Sequence, residues 1–390
     1  MRSGSCCISA LLLLAACGDD GGSNKLPDAP AHDAMPDVAI DAGPPDGPDL
    51  VNDPNNCGAV GWACGCGSTQ CQQGVCVSGV LATGQGGPVQ VFNAGDGLFW
   101  GNDTDRNVMY LDTLSGSTTP TDVLPGRTAV RGFALSTSVS RLYVSRALFN
   151  IVESSAYDGT GSGNYTNQQE PGAGDIYTDE ARTYWVDTGN GNIRSAAVGA
   201  PVQSPTTLAT IAGAERMAYD GASTLYITSS DGSIYTLPTT GGAPVPLPLI
   251  AQTNPGPITL MPTAGLAVWA NNGDGTAGSA SVVFAPTDGS QGTSLVATNL
   301  DTVGDLVTVL GGVVWTEPAS GRVMFAKLST TTPYAFTVKA LAIGEAAPLR
   351  LTQDANSGCA IWSDYNDGMT GTGSIHANFY GEALLDRKPR

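Results

Sequence analysis

From residue 79 onward the chain is a succession of short apolar runs separated by clusters of Gly, Asn and Asp, a pattern of strands and tight turns rather than of amphipathic helices. Seven of the runs share one form, an apolar stretch ending near a large aromatic or branched side chain: GLFWGN, RLYVSR, TYWVDT, TLYITS, LAVWAN, VVWTEP and AIWSDY. Aligned on Trp100, Val144, Trp185, Ile227, Trp269, Trp315 and Trp362, successive repeats lie 44, 41, 42, 42, 46 and 47 residues apart. Five of the six tryptophans in the chain occupy this one position, so the period belongs to the architecture. A shorter apolar strand precedes each run, as in PVQVFNA and GDIYTDE, and another follows a polar turn, as in NVMYLDT and GSIYTLP.

Three such strands and a linking fourth, repeating about every 43 residues, predict one four-stranded blade per repeat, and seven repeats predict an all-β, seven-bladed β-propeller over residues 79–380. A single small sheet cannot bury both of its faces, whereas radial stacking covers each blade with its neighbours. The recurring tryptophan is expected to fill the gap between blades. Ring closure is also legible. The segment SGVLATGQGGPVQVF ahead of the first blade matches the fourth strand that leads into later blades, while the last repeat ends after GSIHANFYGE without one. Residues near 79–84 are therefore expected to supply the outer strand of blade seven and remove an exposed edge. The pattern resembles the broad family of seven-bladed propellers of NHL, YVTN or DUF5050 type. That resemblance implies the architecture and leaves the activity open.

Ahead of the repeats stands MRSGSCCISALLLLAAC, with Arg2 as a positive end and an apolar run over residues 8–16. The run is too short to cross about 30 Å of hydrocarbon and reads as an export signal covering residues 1–16. Leu14, Ala15, Ala16 and Cys17 resemble the lipobox of bacterial lipoproteins. The resemblance implies cleavage before Cys17, a diacylglycerol on its thiol and a membrane as partner through that anchor. Gly18 after the cysteine resembles the sorting signal for the outer membrane of Gram-negative bacteria, on its periplasmic or cell-surface side. Residues 17–56 then carry nine Asp and seven Pro after the lipidated cysteine, with nearly no large apolar side chains, and are expected to be a disordered spacer. A Cys-rich module over 57–78 follows, and 381–390 form a C-terminal tail.

Of nine cysteines, Cys6 and Cys7 leave with the signal and Cys17 is the lipidation site, which leaves Cys57, Cys64, Cys66, Cys71, Cys76 and Cys359. In an oxidising exported compartment six cysteines allow three disulfides. Five of them cluster within NCGAVGWACGCGSTQCQQGVC, so complete pairing requires one to reach Cys359. A buried free thiol at Cys359 and a zinc site built on the clustered cysteines are the competing accounts. The cluster resembles the NCGxxG segments that precede the main domain in lipoproteins of Gram-negative soil bacteria.

The net charge of −18 opposes attraction to phosphate backbones, so nucleic acid is a poor partner, although the spacer alone contributes −8. His32 and His376 are the only histidines, so a His-based triad or poly-His metal site has almost nothing to build on, and His376 is expected to be an imidazole satisfied by its neighbours. Gly273, Gly275 and Gly278 match GxGxxG but join two strands instead of opening a helix. No GxSxG, Walker or HExxH motif is present.

One constellation remains, in the turns after the aligned runs: Asp103, Asp105, Asp187, Asn190, Asp231, Asn271, Asp274, Glu317, Asp364, Asn366 and Asp367. Equivalent turns of a propeller share one face. Their oxygens form a candidate binding rim for sugar hydroxyls or for Ca²⁺, although no cofactor is expected from the sequence. The competing account is that Asn, Asp and Gly simply build hairpin turns. The expected function is that of a monomeric, non-enzymatic, lipid-anchored surface protein whose propeller face binds a protein or glycan. The alternative is an exported carboxylate-dependent hydrolase or lyase, Ca²⁺-assisted, acting at the channel mouth.

Overall fold

A computed structural model describes residues 48–380, apart from 59, 61–62, 116, 168, 200–201, 332 and 367–370. The expected export signal, Cys17, most of the expected spacer, Asp367 and the expected tail lie outside the described residues. Seven four-stranded antiparallel sheets follow one another along the chain. Within each blade the strands are called a to d, from the axis outward. Blade 1 comprises Pro88–Asn93, Gly97–Asn102, Asn107–Asp112 and Thr121–Pro125; blade 2, Val130–Ser136, Arg141–Arg146, Ile151–Ala156 and Gly163–Asn164. Blade 3 comprises Ala173–Thr178, Arg182–Asp187, Asn192–Ala197 and Thr206–Thr210; blade 4, Ala214–Tyr219, Thr224–Ser229, Ile234–Pro238 and Val245–Pro246. Blade 5 comprises Pro255–Met261, Leu266–Asn271, Ala280–Pro286 and Ser294–Leu300; blade 6, Leu306–Val309, Gly312–Glu317, Arg322–Leu328 and Phe336–Ile343. Blade 7 takes Pro348–Asp354, Cys359–Asp364 and Gly373–Phe379 from the end of the repeats and Gly79–Gln85 from their beginning. The closing strand is the one the sequence pattern predicts.

The packing explains the repeat. Seven separate apolar clusters each bridge a pair of neighbouring blades, so the core is distributed around the ring. All five aligned tryptophans are fully buried, each against the preceding blade. Trp315 of blade 6 packs with Val268 and Phe284 of blade 5, and Trp100 of blade 1 packs with Ile361 and Ile375 of blade 7. Val144 and Ile227 fill the same position in blades 2 and 4. A buried indole N–H needs an acceptor, and each of the five tryptophans has one. Trp100 donates to Gln85 Oε1 (2.9 Å), Trp185 to Glu170 Oε2 (3.1 Å), Trp269 to Asn271 Oδ1 (3.2 Å), Trp315 to Glu317 Oε1 (2.9 Å) and Trp362 to Glu345 Oε2 (3.0 Å).

Three disulfides hold the cysteines: Cys57–Cys71, Cys64–Cys76 and Cys66–Cys359. The odd member of the cluster thus reaches Cys359 at the start of strand b in blade 7, and neither a free thiol nor a zinc site is formed there. Pro48 to Asn56, which the composition assigns to the spacer, form turns that bond to the cysteine segment. Gly58 N–H donates to Leu50 O (2.7 Å) and Gly74 N–H to Val51 O (3.1 Å). The closing strand passes directly beneath this segment, and a Cβ on Gly79 would lie 2.3 Å from Cys66 O, so glycine is required there by close approach. Asn378 of blade 7 donates to Cys76 O and Leu341 O, both at 2.9 Å. Among the described residues no helix is long and apolar enough to cross a membrane.

Candidate functional site

In or directly ahead of strand a, each blade places one residue at the axis just before the one that pairs with the aligned tryptophan position. Reading round the ring, that place holds Gln90, Gly132, Asp175, Arg216, Pro257, Asp305 and Arg350. Four of the seven are ionisable, and closing the ring brings them together. Arg216 Nε donates to Asp175 Oδ2 (2.8 Å) and Arg216 Nη2 to Asp305 Oδ1 (3.1 Å), while Arg350 Nη1 stands 3.7 Å from Asp305 Oδ1. Asp175 also accepts from Met217 N–H (2.9 Å) and Asp305 from Leu351 N–H (3.1 Å), so main-chain donors of the next blade fix both carboxylates.

This cluster separates two cavities on the axis. One, of about 450 Å³, is lined by Phe92, Leu135, Tyr177 and Thr352 toward the a–b turns. The other, of about 510 Å³, opens on the face of the b–c turns and is lined by Arg131, Gly174, Glu215, Arg216, Ser230 and Arg350. Three guanidiniums therefore meet at this mouth. Arg216 is committed to two carboxylates, and Arg131 lies 3.9 Å from Asp103 with more than a third of its side chain exposed. Arg350 Nη1 is buried without a hydrogen-bond partner. Burial and the neighbouring Arg216 charge lower the Arg350 pKa to about 10, which leaves it charged at neutral pH. Burial also raises the Glu215 carboxyl, against the pull of Arg216. The mouth presents positive donors to a protein whose net charge is strongly negative.

The rim residues read from the sequence lie on this same face but serve several ends. Asp103 accepts from Ala129 N–H (2.6 Å), Asn190 from Asn192 N–H (3.0 Å), and Asp231 from Ser233 N–H and Tyr235 Oη–H (both 2.8 Å). Asp274 accepts from Thr276 N–H (3.0 Å) and Thr276 Oγ1 (2.6 Å), and these bonds hold its exposed carboxyl at a pKa of about 2. Asp105 packs over Gly86, whose added Cβ would collide with its carboxylate. Asn271 bonds to Trp269 and Gln252, Glu317 to Trp315, Ser320 and Arg322, and Asp364 to the amides of Ala346 (2.9 Å) and Ala347 (2.7 Å). Asn366 donates to Thr372 O (2.9 Å). Asp187 is buried completely, and its carboxyl faces that of Glu170 beside Arg194. Burial first and the Glu170 charge second push Asp187 up to about 8, so the pair shares a proton at neutral pH.

No family model matches the chain, and no curated protein matches it. Solved structures do match. Virginiamycin B lyase from Staphylococcus aureus superposes with a TM-score of 0.59 at 12% identity, over 76% of this chain and 96% of the lyase. Hydrazine synthase of Kuenenia stuttgartiensis gives 0.59 at 12% identity, over 75% and 96%. The PQQ-bound aldose sugar dehydrogenase of Streptomyces coelicolor gives 0.50 at 14%, over 66% and 96%. At these identities the likeness shows the propeller fold alone.

Proposed function

We propose that the protein is a lipid-anchored outer-membrane protein whose propeller binds a partner non-enzymatically, with the axial mouth as the docking point for an anionic group. The ligand class is an acidic glycan or a carboxylate-bearing stretch of a protein. The observation that carries this reading is the buried Arg350 Nη1, which has the Asp305 carboxylate at 3.7 Å but no hydrogen-bond partner, beside a cavity that Arg131 and Arg216 also line. A guanidinium is costly to bury with donors unmet, and a carboxylate or sulfate accepts from planar paired N–H groups. Asp175 and Asp305 would hold Arg216 in place, while Arg131, the more exposed, would make the first contact. Asp103, 3.9 Å from Arg131, stands beside the same opening and would meet a hydroxyl of a sugar ring. Several solved propellers of this shape are enzymes, so a lyase or hydrolase at the mouth is the second reading, supported by the carboxylates gathered there.

Thermal shift of the soluble chain with an oligogalacturonide, its neutral galactose counterpart, Ca²⁺ and EDTA separates these readings. The oligogalacturonide is expected to raise the melting temperature in a salt-dependent way, and Arg350→Gln to weaken its binding at least tenfold. Equal binding of the neutral sugar, or unchanged affinity of Arg350→Gln, would overturn the anionic site. A Ca²⁺-dependent shift abolished by EDTA would favour the second reading.

A further inference from the structure

Away from the axis, a cavity of about 300 Å³ lies between the cysteine segment and blade 7, lined by Ser78, Glu345, Asp364, Ser374 and His376 among others. Ser374 and His376 are two residues apart on strand c, so their side chains leave the same face of the sheet. Ser374 Oγ stands 2.7 Å from His376 Nε2, and His376 Nδ1 stands 2.8 Å from Glu345 Oε2. Glu345 is itself held, accepting from Ser78 Oγ at 2.8 Å and Trp362 Nε1 at 3.0 Å. Ser78 Oγ is also 2.9 Å from His376 Nδ1.

From this geometry we infer a second site, in which Ser374 is a nucleophile, His376 its general base and Glu345 the group that orients the imidazole, acting on small carboxylic esters. The order of contacts is the one such chemistry requires: hydroxyl to Nε2, Nδ1–H to carboxylate, carboxylate fixed by further donors. Burial works to raise the Glu345 carboxyl, but the hydrogen bonds it accepts, that of His376 foremost and those of Ser78 and Trp362 beside it, outweigh burial and keep the group below its ordinary range, hence ionised. With Nδ1–H directed to that carboxylate, Nε2 carries the free lone pair and faces Ser374.

Blade 3 shows what a purely structural arrangement looks like at the same register. There Arg194 pairs across the sheet with Trp185, as His376 does with Trp362, and Arg194 Nε lies 3.6 Å from the tryptophan-bound Glu170. An arginine would serve blade 7 equally well as a charge partner. The histidine instead leaves a basic nitrogen toward a serine at the wall of a cavity.

In the reaction Ser374 Oγ adds to the ester carbonyl carbon as its proton passes to His376 Nε2. The C–O bond to the alcohol then breaks, and the alkoxide takes the proton from His376. Water adds to the acyl-serine, giving a proton to His376, and the carboxylic acid leaves as that proton returns to Ser374 Oγ.

The test is labelling of the full-length protein with a fluorophosphonate probe, peptide mapping of the adduct, and hydrolysis of p-nitrophenyl acetate. Labelling is expected on Ser374, and Ser374→Ala should remove the adduct and slow hydrolysis more than tenfold. His376→Arg, which copies blade 3, should do the same while the melting temperature stays near that of the parent. Absence of a Ser374 adduct in the parent protein, or hydrolysis unaffected by Ser374→Ala, would overturn the assignment. Hydrolysis lost on EDTA treatment would also overturn it, in favour of a divalent cation held by Glu345, Asp364 and His376, the three acidic and imidazole groups gathered there.

Discussion

Replacing Cys66 and Cys359 together by serine is expected to lower the stability of the propeller by about 3–5 kcal/mol and its melting temperature by roughly 5–10 °C. The two cysteines lie 293 residues apart and enclose the closing strand, blades 1 to 6 and strand a of blade 7. Loop closure on that scale removes much conformational entropy from the unfolded chain, which is the main source of the effect. Both sulfurs also sit in the apolar cluster between blades 7 and 1, with Ala82 of the closing strand and Trp100. Calorimetry of the double variant beside a Cys57→Ser/Cys71→Ser control checks the claim, because the control opens a loop spanning only 14 residues and should lose less. Equal losses in the two variants would show that the long bridge adds nothing to closure by the strand.

Asp187→Asn should produce the second large effect, the loss of a pH dependence. In the folded protein Asp187 keeps its proton up to about pH 8, whereas in the unfolded chain it ionises near 3.9. Between those values the folded state binds more protons than the unfolded state, so stability falls as pH rises and levels off above about 8. Asparagine mimics the protonated carboxyl, with an amide that can donate permanently to Glu170. The variant is expected to match the parent near pH 5, to exceed it by on the order of 2–4 kcal/mol at pH 8.5, and to show a flatter profile. Urea titrations at pH 5, 7 and 8.5 give the three points. A parent slope that survives in the variant would place the proton elsewhere.

The propeller was legible because its tryptophans recur at one register, and a large apolar side chain at fixed spacing has little freedom in what it means. The same pattern located the closing strand, and the odd number of clustered cysteines required one of them to reach Cys359, but only the structure shows that this one is Cys66. The axial cluster was not legible for the opposite reason. Gln90, Gly132, Asp175, Arg216, Pro257, Asp305 and Arg350 occupy equivalent places with different chemistry, so no repeat marks them, and Arg216 meets Asp305 only once the ring has closed. A signal was nevertheless available: charged residues inside otherwise apolar first strands, as in GDIY, ERMAY, GDLV and PLRL. The turn carboxylates suffered from a related ambiguity. Asp and Glu at the end of strand b can face solvent or fold inward to a buried indole and to turn amides, and composition does not distinguish Asp274, which is exposed, from Asp187, which is not. The sequence expects His376 to be satisfied by its neighbours, and its partners are Ser374 on the same strand, Ser78 just ahead of the closing strand and Glu345 just ahead of strand a, which the fold alone brings together.

The route of the chain through blade 7 has a mechanical corollary. Tension applied from the segment before Pro48 reaches Cys66 before it reaches Gly79–Gln85, and Cys66 is bolted to strand b, two positions inward from the rim of the sheet. A pull would therefore load a covalent bond and the middle of the blade, in place of peeling the last-added strand one hydrogen bond at a time. Under shear at a surface, such a molecule would keep its torus intact until the bridge is reduced, and reduction would turn a firm mooring into a zipper.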